Sequence, residues 1–198
     1  FTHRLLGRLI GILYFVPLLY FTFKLGLKNI LSLYLIFFLI CFQGFIGWYM
    51  VSSGLVENND VSHFRLSIHL SLALFILCLI FWHILDVFKV NKFHEKIPNL
   101  LMISILMLII IQIIFGAFLS GLDGGLIYNT WPDMNGGFFP DDVEFNAAIN
   151  SQIFNNPSIV QFFHRITAYL LLFSNPYTNE NSDSTPCFWI IYQGIYFH

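Results

Sequence analysis

The sequence predicts an all-α fold, a polytopic transmembrane helix bundle, and three observations carry that reading. Hydrophobic residues make up 57% of the 198 residues and charged residues only 10%, whereas a soluble domain is about one quarter charged. The apolar residues fall in runs of about 20, the length a helix needs to cross a bilayer. All five lysines lie in two of the connections between those runs, the asymmetry of a membrane protein with one cytoplasmic or matrix face. A water-soluble globule and a disordered chain are both excluded by this composition. Mean hydropathy is +0.73, and 24 phenylalanines exceed what a small aqueous core holds. A net charge of −2 gives no bulk attraction to nucleic acid. Cys41, Cys78 and Cys187 are too scattered for a disulfide framework or a C-x-x-C metal site.

The first predicted helix covers residues 3–23. Its apolar stretch is too long for a signal peptide, and no small-residue cleavage site follows it. The second covers 30–51, the third 66–87 and the fourth 99–119. A polar loop is expected over 120–158. The fifth helix begins near Ile159 and loses its pattern at Ser174. With about 15 apolar residues it is short for a full crossing. The tail, 174–198, is polar and contains proline before a short aromatic end.

Charge sets the topology. Lys24 and Lys28 lie between the first two helices, and Lys89, Lys92 and Lys96 between the third and fourth. The positive-inside rule assigns those connections to the inner side. The segment V-E-N-N-D (56–60) and the loop residues Asp123, Asp133, Asp141, Asp142 and Glu144 then face outward. The four arginines do not follow the rule. Arg4, Arg65 and Arg165 sit near outer helix ends and Arg8 one turn further in. Such placement implies a task other than orientation.

Three histidines share the outer layer. His3 opens the first helix, while His69 and His164 each lie about one turn inside the third and fifth. An ionisable residue inside a span is a functional candidate by default. The bland alternative, an interfacial histidine bonded to a headgroup or a carbonyl, suits one such residue better than three at one depth. Each of the three has an arginine within four residues. Imidazoles projecting from facing helices hold heme axially, and nearby guanidinium groups suit its two propionates. Zinc would usually call for carboxylate or thiolate ligands as well. The only acidic residue in the spans, Asp86, lies at the opposite end.

Two short internal echoes accompany these residues. H-R-L-L (3–6) is similar to H-R-I-T (164–167). Q-G-F-I-G (43–47) and Q-I-I-F-G (112–116) share a Gln and a Gly four apart. They imply two related helical halves, although membrane helices also show chance similarity. The loop G-L-D-G-G-L-I-Y-N-T-W-P-D-M-N-G-G-F-F-P (121–140) is the most distinctive segment. It reads equally as an interfacial turn or as a lid over an outward-facing cofactor site.

Five segments together resemble one family, heme A synthase of the proteobacterial and mitochondrial type. They are H-R-L-L-G-R-L-I-G (3–11), Q-G-F-I-G-W-Y-M-V-S-S-G-L (43–55), R-L-S-I-H-L-S-L-A (65–73), G-L-I-Y-N-T-W-P-D-M-N-G (125–136) and Q-F-F-H-R-I-T-A-Y (161–169). The resemblance runs from residue 1 to about Phe173, in matching order and spacing. It implies eight helices in two four-helix halves, about five of them present here. Residues 1–87 would be first-half heme-binding helices, 88–98 an inner loop, 99–173 the start of the second half with outer loop 120–158, and 174–198 a divergent tail. His3 and His69 would be axial ligands of the substrate heme, and His164 a ligand of a cofactor heme b. Arg4, Arg8, Arg65 and Arg165 would be propionate or structural residues. The family's glutamate, three residues before its first histidine, would precede Phe1. Its first span, and its last two with a fourth histidine, have no counterpart, so the sequence reads as a fragment.

The reaction the resemblance implies is oxidation of a methyl group of heme O to a formyl group, giving heme A for terminal oxidases. Two successive hydroxylations and loss of water from the gem-diol would achieve it. The implied partners are membrane lipid, heme O, heme O synthase and cytochrome oxidase assembly factors, with a homo-oligomer allowed. The implied location is the bacterial cytoplasmic membrane or the mitochondrial inner membrane. Two rivals remain at this stage. A two-heme electron-transfer cytochrome b would use His69 and His83, 14 residues apart, on one helix face and about 21 Å apart along the axis. It needs a second helix with the same spacing, yet the matching positions are Pro17 from His3 and Thr178 from His164. The other rival is a non-catalytic heme-binding fragment or assembly factor. His94 and His198 are given no role. The topology is checked by cysteine labelling in intact membranes: an outer-face reagent should modify a cysteine placed at Asn135 and spare one placed at Asn91, and the reverse would overturn it.

Overall fold

A computed structural model of the chain describes residues 1–54, 61–89, 99–143 and 153–174. The acidic segment 56–60, Lys92, His94, Lys96, Glu144, Cys187, His198 and the tail from residue 175 onward lie outside the described residues. Five α-helices follow in order: α1 (Thr2–Leu25), α2 (Leu31–Gly54), α3 (His63–Val87), α4 (Asn99–Gly121) and α5 (Pro157–Phe173). Short 3-10 turns occur at Leu27–Ile30, Gly124–Leu126 and Ile153–Asn155. Among the described residues there is no strand, only a bridge pairing Met134 with Gly137.

Four segments are long and apolar enough to cross a membrane: Thr2–Leu25, Leu27–Ser52, His63–Val87 and Leu100–Gly121. Their large apolar side chains are mostly exposed, among them Leu13, Phe38, Phe81 and Leu106. Lipid is therefore the solvent for these faces, and the chain is an integral membrane protein. α5, with 17 residues, is about 25 Å long against a hydrocarbon core of about 30 Å. It is short, as its sequence implies.

Helix boundaries follow local chemistry. α5 starts two residues earlier than predicted because the Asn156 side chain accepts from the backbone N–H groups of Ser158 and Ile159 at 2.9 and 3.2 Å, with Pro157 next in line. α3 starts three residues early, at His63. These shifts set His69 and His164 six and seven residues inside their helices, about 9–10 Å deep rather than a single turn. α1 ends at Leu25; the Gly26 N–H makes the last i→i−4 bond, to the Thr22 carbonyl, and the φ of 80° at Gly26 then turns the chain out of the helix.

Each helix packs chiefly on its neighbours in sequence, most extensively α3 on α4 and α4 on α5. Lipid tails are as apolar as leucine, so association rests on close packing and interhelical hydrogen bonds. Tyr14 donates to the Leu33 carbonyl at 3.1 Å, Thr22 and Tyr34 share a 2.8 Å hydroxyl contact, and Phe15 stacks on Phe37. At the outer end α4 meets α3 so closely that a Cβ on Gly121 would stand 2.7 Å from the Cβ of His63 and 2.9 Å from its Cα. Backbone on one side and a helix on the other leave no room. Gly121→Ala should therefore lower stability in detergent by about 1–3 kcal/mol. Gly11→Ala, with nothing within 4 Å of the new carbon, should leave it unchanged. Equal unfolding curves for both variants would contradict the close approach.

Candidate functional site

The first cluster joins three helices. His3 on α1 and His69 on α3 face each other with ring centres 6.4 Å apart and planes at 78°. Gln43 on α2 donates from Nε2 to the His69 carbonyl at 2.9 Å, and the same nitrogen lies 3.4 Å from His69 Nε2. Gly47, one turn further along α2, is the floor under that imidazole: a Cβ there would stand 2.9 Å from His69 Cε1. His69 Nδ1 and Gln43 Oε1 are buried and have no hydrogen-bond partner among the described residues.

The second cluster repeats the pattern one hairpin later. Gln112 on α4 holds its Nε2 3.2 Å from both ring nitrogens of His164 on α5. Its Oε1 accepts from the Thr167 hydroxyl. Gly116 underlies the ring, with 3.3 Å from a built Cβ to His164 Cε1. Among the described residues no second imidazole faces His164. His83, at the other end of α3, likewise has no facing imidazole among them. The first and second clusters share no side chain.

The loop between α4 and α5 is fastened to one face of α5. Gln161 accepts from the Tyr128 N–H at 3.3 Å and donates to its carbonyl at 3.0 Å. Arg165 donates from Nη2 to the same carbonyl at 2.8 Å and from Nη1 to the Asp133 carbonyl at 2.7 Å. Tyr169 donates to the Pro132 carbonyl at 3.3 Å. Asn135 and Gly136, both at positive φ, turn the chain between the bridged Met134 and Gly137. Trp131 and Phe138 stay exposed, as interfacial aromatics do. The loop thus has the outward aromatics of an interfacial turn and is also bound down over the helix that carries His164.

Charge within this loop is concentrated at one tyrosine. The buried Tyr128 hydroxyl lies 2.5 Å from Asp141 Oδ1 and 2.7 Å from Asp142 Oδ1. Burial, then hydrogen bonding to the two carboxylates, pushes the phenol well above its ordinary value. Burial works to raise the Asp142 carboxyl. Hydrogen bonds donated by Ser158, at 2.6 Å, and Tyr128 outweigh it and hold that carboxyl low.

Sequence reasoning named the three ligand candidates but missed their setting. It read Gln43, Gly47, Gln112 and Gly116 only as an echo. The usable signal was the i, i+4 spacing, which puts each Gln and Gly on one helix face. It passed over Gln161, Thr167 and His63. His63 is buried at the head of α3, with Nε2 unpartnered among the described residues. Of the arginines, Arg4 and Arg8 are exposed, Arg65 lies 5.4 Å from the Tyr49 ring centre, and Arg165 is engaged by the loop carbonyls. Asp86 is exposed near the inner end.

Among the described residues, no three His, Cys, Asp or Glu converge on a point suited to a bare metal ion. Two imidazoles on opposite sides of one metal, each bonded at about 2 Å, stand with ring centres about 6 Å apart. The His3–His69 separation of 6.4 Å and the orphaned Nδ1 fit a bis-histidine heme iron.

Residues 1–180 match COX15-CtaA, described as cytochrome oxidase assembly protein. The chain belongs to the COX15-CtaA family. Among its relatives in this family, a protein of Pelagibacter ubique named heme A synthase is 69% identical over 175 residues, which is 87% of this chain and 52% of that protein. Proteins of the same name from Rickettsia bellii and Wolbachia pipientis are 44% and 42% identical, each over 86–87% of this chain and 51–53% of theirs. The chain spans about half the length of these relatives. No solved structure matches it.

The pH dependence of loop docking is a test of the Tyr128 cluster. Asp142 is depressed, so its contribution is complete above the ordinary carboxylate range and is lost as pH falls through its lowered value. Tyr128 is raised, so its contribution is complete below the ordinary phenol value and is lost as pH rises through its raised one. Outer-side proteolysis of 122–143 in proteoliposomes should be slow between these limits and faster beyond both. Ser158→Ala should move the acid limb to higher pH; an unmoved limb would refute the carboxylate's role.

Proposed function

We propose that the chain supplies the first heme-binding half (1–87) and the beginning of the second (99–173) of a heme A synthase. In this reading the protein oxidises a methyl group of heme O to a formyl group to give heme A for terminal oxidase assembly. The observation that carries the proposal is the facing pair His3 and His69 near the outer ends of three packed helices. The family membership and the names of the relatives support it.

His3 and His69 hold the substrate heme O by its iron, and His164 is one ligand of a cofactor heme b. When bound, heme b supplies electron transfer; the chain supplies orientation, burial and electrostatics. Gly47 and Gly116 leave room for each imidazole against the neighbouring backbone. Arg4, Arg8 and Arg65 are the cations at the outer rim where two propionates would meet water. Arg165 combines that location with its loop bonds. The docked loop covers the outer end of the second site and limits the entry of water there. Heme O synthase and oxidase assembly factors are the partners this chemistry calls for, as source of substrate and user of product.

The test is product analysis with the full-length protein co-expressed with heme O synthase. Extracts should contain heme A, and His69→Ala should abolish it and remove the first-site heme from the visible spectrum. Extracts with hemes B and O alone from the unaltered protein would refute the synthase. An unchanged heme content in His69→Ala would refute the ligand.

A further inference from the structure

From the residues one helical turn inside the facing histidines, we infer that Gly7 and Ala73 are positioning residues for the substrate heme, two shallow seats against which opposite faces of its macrocycle lie. The inference rests on the heme-ligand reading of His3 and His69 and adds the residues that clear space for the ring itself.

α1, α3 and α5 all begin at the outer side and run inward. The residue four beyond His3 is Gly7, four beyond His69 is Ala73 and four beyond His164 is Ala168. A step of four turns about 400° around a helix and rises about 6 Å. Each of these residues therefore lies about 40° from its histidine's direction, one turn deeper. Small residues are scarce in this chain. Its alanines are Ala73, Ala117, Ala147, Ala148 and Ala168, and its glycines number 13 among 198 residues. The spans are otherwise filled largely by Leu, Ile and Phe. On the outer side of His69, four residues earlier, stands Arg65. Along α3 a small group thus lies inward of the ligand and a cation outward of it, which matches a macrocycle with an apolar edge and a propionate edge.

Clearance explains the pattern. A metal bound to an imidazole stands about 5–6 Å from the histidine's Cα, atoms in contact stand about 3.5–4 Å apart, and so a macrocycle lying across the helix leaves about 2 Å above the backbone one turn away. A hydrogen or a methyl group fits there, and the branch of a leucine does not. Packing within the protein gives no other account of Gly7. It is exposed, and no atom among the described residues outside its own helix backbone lies within 4 Å of a Cβ built on it. Gly121, by contrast, is demanded by the Cα and Cβ of His63. Glycine weakens a helix interior, and Gly7 has no positive φ that would call for it. The ligand is indicated independently, by the facing rings of His3 and His69 and by the buried His69 Nδ1, which has no partner among the described residues.

The test uses the full-length protein, co-expressed with heme O synthase and carrying His164→Ala to isolate the first site. Loss of heme O to an apo-globin acceptor is followed by the visible spectrum. Gly7→Leu and Ala73→Leu should each speed that loss about 10-fold or more, the scale of an overpacked position. Gly7→Ala and Ala73→Gly should retain heme O as the parent does. In a His69→Ala background Gly7→Leu should leave the unfolding curve unchanged, because no neighbour lies within 4 Å of the new Cβ; a destabilised protein there would overturn the inference by revealing a packing role. Valine replaces leucine where a leucine variant does not fold. Parental retention of heme O in either larger variant would overturn the inference while the heme reading stands. Equal losses from Gly7→Ala and Gly7→Leu would also overturn it, by showing a need for glycine's backbone and not for clearance. Heme O held as tightly after His69→Ala as before would overturn the heme reading, and the inference with it.

Discussion

In hydrocarbon, a polar side chain has no water to turn to, so its partner must come from the protein. This constraint governs where polar side chains sit along the whole length of the described bundle. Gln43 and Gln112 lie within apolar helices and bond to elements of the next helix. Thr22 finds the Leu18 carbonyl and Tyr34, and Tyr14 finds the Leu33 carbonyl. Among the described residues, His69 Nδ1, His63 Nε2 and Gln43 Oε1 are the buried groups this scheme leaves without a partner, and an unpaired nitrogen inside a membrane protein is a place where a ligand can offset the cost of burial.

α5 meets the same constraint differently. It is too short and too polar on one face to behave as a simple span, and that polar face is satisfied by the loop preceding it. Ser158, Gln161, Arg165 and Tyr169 recur along one side and take up carbonyls or carboxylates of residues 128–142. Arg165 immediately follows His164 in the chain. The residue that anchors the loop and the residue that faces Gln112 thus share one helical turn. The Tyr128 hydroxyl, with two carboxylates beside it, makes the same junction sensitive to charge.

The bundle was legible in the sequence because lipid imposes length and hydropathy on every span. Predicted and observed helices agree within three residues at every end. The remaining shifts arise where polar chemistry decides, as at Asn156–Pro157, which begins α5 ahead of its apolar run. His3, His69 and His164 stood out as ionisable groups in apolar surroundings. Their neighbours did not, because the contacts cross between helices. Nothing in the spacing of Gln43 says that its amide meets a residue 26 positions later. Nor does composition reveal that Gly121 is fixed by the backbone of His63. Glycine and glutamine acquire their meaning here from the partner, and one sequence carries no record of pairing.

Both glutamine–histidine contacts join helices that are consecutive in the chain, across separations of 26 and 52 residues. Such contacts carry a small loop-closure cost compared with those that reach across a whole bundle. During membrane insertion, each glutamine–histidine contact can form once its own pair of helices has entered the bilayer. The His3–His69 pair is different, because it links α1 to α3 across an intervening helix. Biogenesis therefore orders the work: local hairpins prepare the imidazoles one at a time, and assembly of the bundle then brings the first two face to face.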